Sequence, residues 1–155
     1  VYVLKDHRPD TAKPAYLFET LPELCDSFFS KLKYEDATTI NAFIPEKNYL
    51  KATFDTLDIE YNETRLTVRH QNLAFNLQKQ YKKLLKKAAK QKLKLKHLEK
   101  QKVDYEYGKD EKENEFCYVT FYCNKRKTEY EIKFVAIRLI DKWFIGDELS
   151  FTELP

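Results

Sequence analysis

Methionine is absent from this chain of 155 residues, glycine occurs twice, tryptophan once and cysteine three times. With only two Gly beside eleven Tyr and eleven Phe, the chain is neither low-complexity nor disordered. No apolar run approaches the roughly 18 residues of a membrane-spanning helix, so no transmembrane segment is expected. Cys-x-x-Cys spacing is missing and His7, His70 and His97 are scattered, so no metal centre is expected. Catalytic motifs are missing too, and no cofactor is implied, so the sequence names no substrate or reaction. What is present suits one soluble α+β domain: 43% hydrophobic, 15% aromatic and 34% charged residues.

Cys25, Cys117 and Cys123 form an odd set. Cys117 and Cys123 fall six residues apart on one expected strand, about 20 Å at strand rise. A disulfide needs Cα atoms within about 7 Å, so all three are read as unbridged, small, buried hydrophobes. The sequence starts at Val1, and the expectation is that a native start, with any export signal, has been removed. Residues 1–14, with Pro9 and Pro14, read as an N-terminal arm, and 15–155 as a single domain.

The net charge of +3 hides a strong segregation. Residues 1–78 carry nine basic and twelve acidic residues, a balance of −3. Residues 79–102 carry eleven Lys and one acid, Glu99, a balance of +10. Residues 103–155 carry eight basic and twelve acidic residues, a balance of −4. The middle segment uses Lys alone, and bidentate recognition of bases favours Arg, so no specific nucleic-acid partner is expected.

Hydrophobic periodicity sets the order of elements. Tyr16, Phe18, Leu21, Leu24, Cys25, Phe28, Phe29 and Leu32 recur at helical spacing. Glu35-Asp36 suits the cap of a short helix containing Ala37, Ile40 and Phe43, and Pro45 the first turn of a third, through Tyr49, Leu50 and Phe54. Residues 57–69 are ambiguous. From Asn72 to Gln101 the pattern predicts a long amphipathic helix with Leu77, Tyr81, Leu84, Ala88, Leu95 and Leu98 on one side and lysines opposite. A helix running from Glu63 would be too long, so a break is expected near 64–72. Leu93 reads as stranded among lysines beyond the domain.

After Lys102 the period becomes two. Strands are expected around 103–107, at Cys117–Cys123, at Tyr130–Ile140 and at Trp143–Phe151, with Gly108–Asn114 as a polar loop. A two-residue turn at 141–142 pairs Ile140 with Trp143 and Ile132 with Phe151. An even turn near 125–126 pairs Phe121 with Tyr130 and Val119 with Ile132, setting apolar faces together. The fold class is therefore α+β: N-terminal helices and a long helix on a curved, cone-like, four-stranded antiparallel sheet.

That order resembles the nuclear transport factor 2-like, or cystatin-like, superfamily. The resemblance lies in the closing hairpin Arg138-Leu139-Ile140-Asp141-Lys142-Trp143-Phe144-Ile145-Gly146-Asp147, and in helical Leu17–Lys33 followed by Asp36–Pro45. It implies a helix-filled cone and a kinship with small exported lipoproteins of the bacterial envelope, periplasmic or membrane-anchored.

Four candidate surfaces follow. Asp147 and Arg138, on the inward parity of adjacent strands, form a pocket with Tyr105 and Tyr118, or they simply pair while the tyrosines fill core. The tyrosines Tyr107, Tyr122 and Tyr130 crowd the same sheet and are open to both readings. Val135, Ile137, Leu139 and Phe144 make the opposite face apolar, which calls for cover by the arm, a helix or a second subunit. Lys82, Lys83, Lys86, Lys87 and Lys90 form either a weak anion-binding surface or a solvated face. The leading functional expectation is a noncatalytic binding or interaction domain of the envelope, with self-association or an envelope protein as partner. The rival is a small-molecule carrier or enzyme using the cone interior.

Overall fold

A computed structural model describes residues 15–34, 37, 39–111 and 113–155. The expected arm at 1–14 and the Glu35-Asp36 cap lie outside the described residues. Among the described residues, α1 (Leu21–Leu32), a 3-10 helix (Thr39–Phe43), α2 (Lys47–Thr56), α3 (Glu63–Lys90) and a second 3-10 helix (Leu95–His97) come first. Four strands follow: β1 (Glu99–Lys109), β2 (Glu115–Lys125), β3 (Thr128–Leu139) and β4 (Lys142–Glu153). They form an open antiparallel meander in the order β1-β2-β3-β4, with the helices packed on it. The α+β class read from the sequence is the class of the fold.

The helix starts follow local chemistry. Thr20 caps α1, its Oγ1 accepting the Glu23 N–H while its hydroxyl donates to the Glu23 carboxylate. This starts the helix after Phe18, which instead makes an antiparallel bridge with Trp143; the Trp143 N–H donates to Phe18 O at 2.9 Å. Pro45 stands just ahead of α2 rather than in its first turn, and Glu46 is the N-cap. Asn62 caps α3 by accepting the Arg65 N–H at 2.8 Å.

At α3 the structure corrects the sequence reading at both ends. No break interrupts residues 64–72, because Leu66, 1% exposed, lies on the buried side of a continuous helix. The helix ends at Lys90, not near Gln101, so its 28 residues span about 42 Å instead of the overlong rod. Its end is a left-handed stop. Lys92 takes φ 56°, its N–H reaches Ala89 O, and the Leu93 N–H reaches back to Ala88 O at 2.9 Å. Leu93 folds down into the core at 5% exposure beside Ala88, not out among the lysines. Leu95 and Leu98 are buried as expected, from the 3-10 turn and its exit.

The sheet keeps the expected parity with shifted pairing. Cys117, Val119, Phe121 and Cys123 face Ala136, Phe134, Ile132 and Tyr130, two residues along from the expected register. Lys125 pairs with Thr128, so Arg126-Lys127 makes the turn. An even displacement leaves every side chain on its own face. In the last hairpin Trp143 pairs with Arg138 rather than Ile140, and Ile140 sits in the turn at φ 63° and 53% exposure. Register shifts between Lys133 and Ala136 restore Ile132 opposite Phe151, as expected. Gly146 lies in this irregular stretch, where a Cβ would come within 2.9 Å of Ile137 Cγ2 and 3.1 Å of Val135 O. Gly108 belongs to β1 and not to the following loop.

Aromatics fill the space between helices and sheet. Phe28 meets Phe43 and Phe134 edge-on, and Phe29 meets Phe121. Tyr81 is completely buried, and its hydroxyl donates to Leu32 O at the end of α1 at 2.8 Å. On the other face, Leu50 of α2 and Leu66 of α3 pack on Leu139 and Phe144, with Ile137 at the margin. Helices of the same chain thus cover the Leu139 and Phe144 end of this face, while Val135 and Ile137 line a groove beside it.

Candidate functional site

The four pocket residues read from the sequence are not brought together. Arg138 Nη1 meets Glu115 Oε2 at 2.8 Å across β2 and β3. Asp147 is exposed at the β4 irregularity, where its Oδ1 accepts from Gln80 Nε2 and from the Glu148 N–H. Tyr105 pairs with Val119, and its hydroxyl shares a hydrogen bond with the Cys25 thiol. Tyr118 lies on the opposite face, edge-on to Phe116. Tyr107 extends a ring row from Tyr105 to Trp143, which is itself 6% exposed. The space an internal ligand would take is filled by Phe28, Phe43, Phe121, Phe134 and Phe151, each at most 1% exposed.

The thiols belong to this core. Cys25, Cys117 and Cys123 are free and buried. Burial pushes Cys25 up to about 12, against smaller opposite pulls from the Tyr105 hydroxyl and Lys100. Burial likewise raises Cys117 to about 11 and Cys123 to about 12. Such thiols carry essentially no thiolate at neutral pH and are poor nucleophiles.

The lysine surface is a contiguous feature. Leu66, Ala74, Leu77, Tyr81, Leu84 and Ala88 turn one side of α3 inward. Gln80 fastens the helix along the β4 edge: its Oε1 accepts the Leu149 N–H at 2.8 Å while its Nε2 holds Asp147. Lys87 Nζ donates to Phe151 O at 3.3 Å. These contacts occupy the open edge of β4 and hold the opposite side of α3 toward solvent. Lys79, Lys82, Lys86 and Lys90 are exposed there, and Lys83 and Lys87 are exposed on the flank that borders β4. From Thr64 to Leu98 the chain holds no carboxylate. Among the described residues no acid lies within ion-pair distance of these lysines, whereas Lys47, Lys100, Lys109, Lys133 and Lys142 elsewhere are all paired.

Like charges four residues apart, Lys79/Lys83, Lys82/Lys86, Lys83/Lys87 and Lys86/Lys90, each cost about 0.2–0.5 kcal/mol. The positive field continues past the helix end. His97 is held below its ordinary value by desolvation and then by Lys125, Lys96, Lys94 and Arg126, so the β2–β3 turn adds its cations to the 91–97 segment.

Two members of this surface escaped the sequence reading. Phe75 is 65% exposed and Val68 47% exposed, both on the outer side of α3. The signal was present in the helical wheel: at 100° per residue Val68, Phe75, Lys79, Lys82, Lys86 and Lys90 fall within about 80° of one another.

Comparison with family models, curated proteins and solved structures returns no match to this chain.

Proposed function

We propose that this chain is a noncatalytic interaction domain that presents the outer side of α3 to an anionic partner. The observation that carries the reading is the lysine-lined second half of α3, Lys79 to Lys90, about 18 Å of helix without a carboxylate, whose other side is anchored to the sheet. A filled aromatic interior supports the same reading against a ligand-holding cone. The resemblance to the nuclear transport factor 2-like superfamily, and with it an exported, envelope-associated location, is part of this proposal and rests on the order of helices ahead of a four-stranded meander. Fractionation of the source cells tests the location.

The test of the interaction itself is binding to a soluble polyanion such as polyglutamate. Binding is expected at low ionic strength and release as salt approaches physiological strength. Replacing Lys82, Lys83, Lys86, Lys87 and Lys90 together with Gln should abolish it and leave the circular dichroism spectrum unchanged. A five-fold variant that binds as the parent does would refute the reading.

A ligand-carrier reading has one observation of its own. A groove of about 510 Å³ on the outer face of the sheet is lined by Phe54, Leu57, Phe116, Tyr118, Ile137 and Arg138, and so includes two of the four expected pocket residues. Saturable binding of an apolar dye, lost in Tyr118→Ala, would favour it.

A further inference from the structure

We propose that the partner of the α3 face is an anionic phospholipid surface, on which the lysines meet the headgroups while Phe75 enters the boundary between headgroups and acyl chains. This rests on the anionic-partner reading above and adds the partner's chemistry and the mode of attachment.

The argument starts from what shares the exposed line of the helix. Val68 and Phe75 occupy its first half, and Lys79, Lys82, Lys86 and Lys90 its second. A two-thirds-exposed Phe is costly in water and gains by entering an apolar phase. Lysines around it carry long apolar stems that lie along that phase while the ammonium stays at headgroup level. An apolar residue beside a row of cations on a helix lying flat on its own domain is the arrangement of an interfacial contact. Since α3 is held along its length by Leu66, Leu77, Tyr81, Leu84 and the Gln80 clasp, the whole line is presented without a folding step. Lys92, Lys94 and Lys96 follow directly after the helix, and Lys94 and Lys96 turn toward Ser30, Lys33 and Tyr34 at the end of α1, so they add positive charge nearby without extending the line of α3 itself.

Charge and the exposed apolar residues together decide against two other occupants. A second copy docked by the same face would set these lysines against the same lysines, with no acid between Thr64 and Leu98 to answer them, and no copy docked otherwise would give Phe75 an apolar phase to enter. A nucleic acid would meet Lys as point charges but would leave Phe75 and Val68 without a base edge or groove contact on this convex face. A bilayer uses both kinds of residue.

The experiment is co-flotation of the whole chain with neutral phosphatidylcholine vesicles and with vesicles containing phosphatidylserine, at low and at physiological salt. Polyglutamate and duplex DNA serve as parallel probes. The expected result is flotation with the anionic vesicles alone, weakened by salt. Phe75→Ser should weaken that flotation about tenfold, in line with losing one inserted aromatic, and leave polyglutamate binding and the urea midpoint unchanged. The Lys82, Lys83, Lys86, Lys87, Lys90→Gln variant should lose binding to both. Binding of polyglutamate without binding of vesicles would overturn the membrane inference and leave the interaction reading standing. Equal flotation of Phe75→Ser and the parent would overturn the insertion of Phe75. Tighter binding to DNA than to vesicles of equal charge would replace the lipid by a nucleic acid, and failure to bind any probe would remove both readings.

Discussion

Lys92 should be replaceable by Gly with a gain in stability, and the reason is the way α3 stops. At φ 56° Lys92 holds the left-handed position that glycine usually fills after a helix. An L-residue with a Cβ pays about 1–2 kcal/mol there, whereas Gly brings an entropic loss of about 0.5–1 kcal/mol, so the net gain is about 0.5–1 kcal/mol. The side chain contributes nothing to offset this: Lys92 is exposed and has no ion partner among the described residues. In a domain of this size that gain raises the melting temperature by about 1–4 °C. Thermal unfolding followed by circular dichroism, with the urea slope as a check on the unfolded state, measures it. Lys92→Ala is the control, because it removes the same charge and keeps the Cβ. A lowered melting temperature in Lys92→Gly, or an equal rise in Lys92→Ala, would show that the left-handed stop does not govern the end of α3.

Tyr81→Phe should cost about 1–3 kcal/mol in urea unfolding, because the buried Leu32 carbonyl loses its donor at the junction of α1 and α3; an unchanged midpoint would remove that bond from the account. A thiol reagent at neutral pH should find no reactive cysteine in the native protein and three after denaturation, given burial of Cys25, Cys117 and Cys123; a single reactive group in denaturant would mean that two are bridged. His70 is held below its ordinary value by burial and then by Lys47, with Glu46 opposing. Its folded form therefore binds a proton less readily than the unfolded chain, so its contribution is complete above about pH 6.5 and is lost as pH falls below that. His70→Gln should flatten that part of the stability profile, and an identical pH dependence in the variant would assign it to other groups.

The α+β class was legible because two periods cannot be confused over long stretches: Leu77, Tyr81, Leu84 and Ala88 repeat as a helix, and Cys117, Val119, Phe121 and Cys123 as a strand. Strand parity was legible for the same reason, since a slip by one residue would have set these apolar side chains against Glu129, Glu131 and Lys133. A slip by two costs no face. The pairing of Phe121 with Ile132 and the turns at Arg126-Lys127 and Ile140-Asp141 were therefore decided by packing and by the β4 irregularity. The end of α3 was hidden because Lys92 carries no glycine signal, and only Leu93 turning into the core and its N–H reaching Ala88 define the stop. Residues 64–72 look broken in isolation, yet Leu66 finds Leu139 and Phe144 on the far face of the sheet, and that burial keeps the helix continuous. The lysine face was readable from charge alone, since segregation of Lys79–Lys102 is a property of the chain. Its meaning as a surface was not. Where α3 lies along β4, which side it turns outward, and that Phe75 stands exposed beside the lysines all depend on contacts between distant residues, which a one-dimensional pattern does not contain.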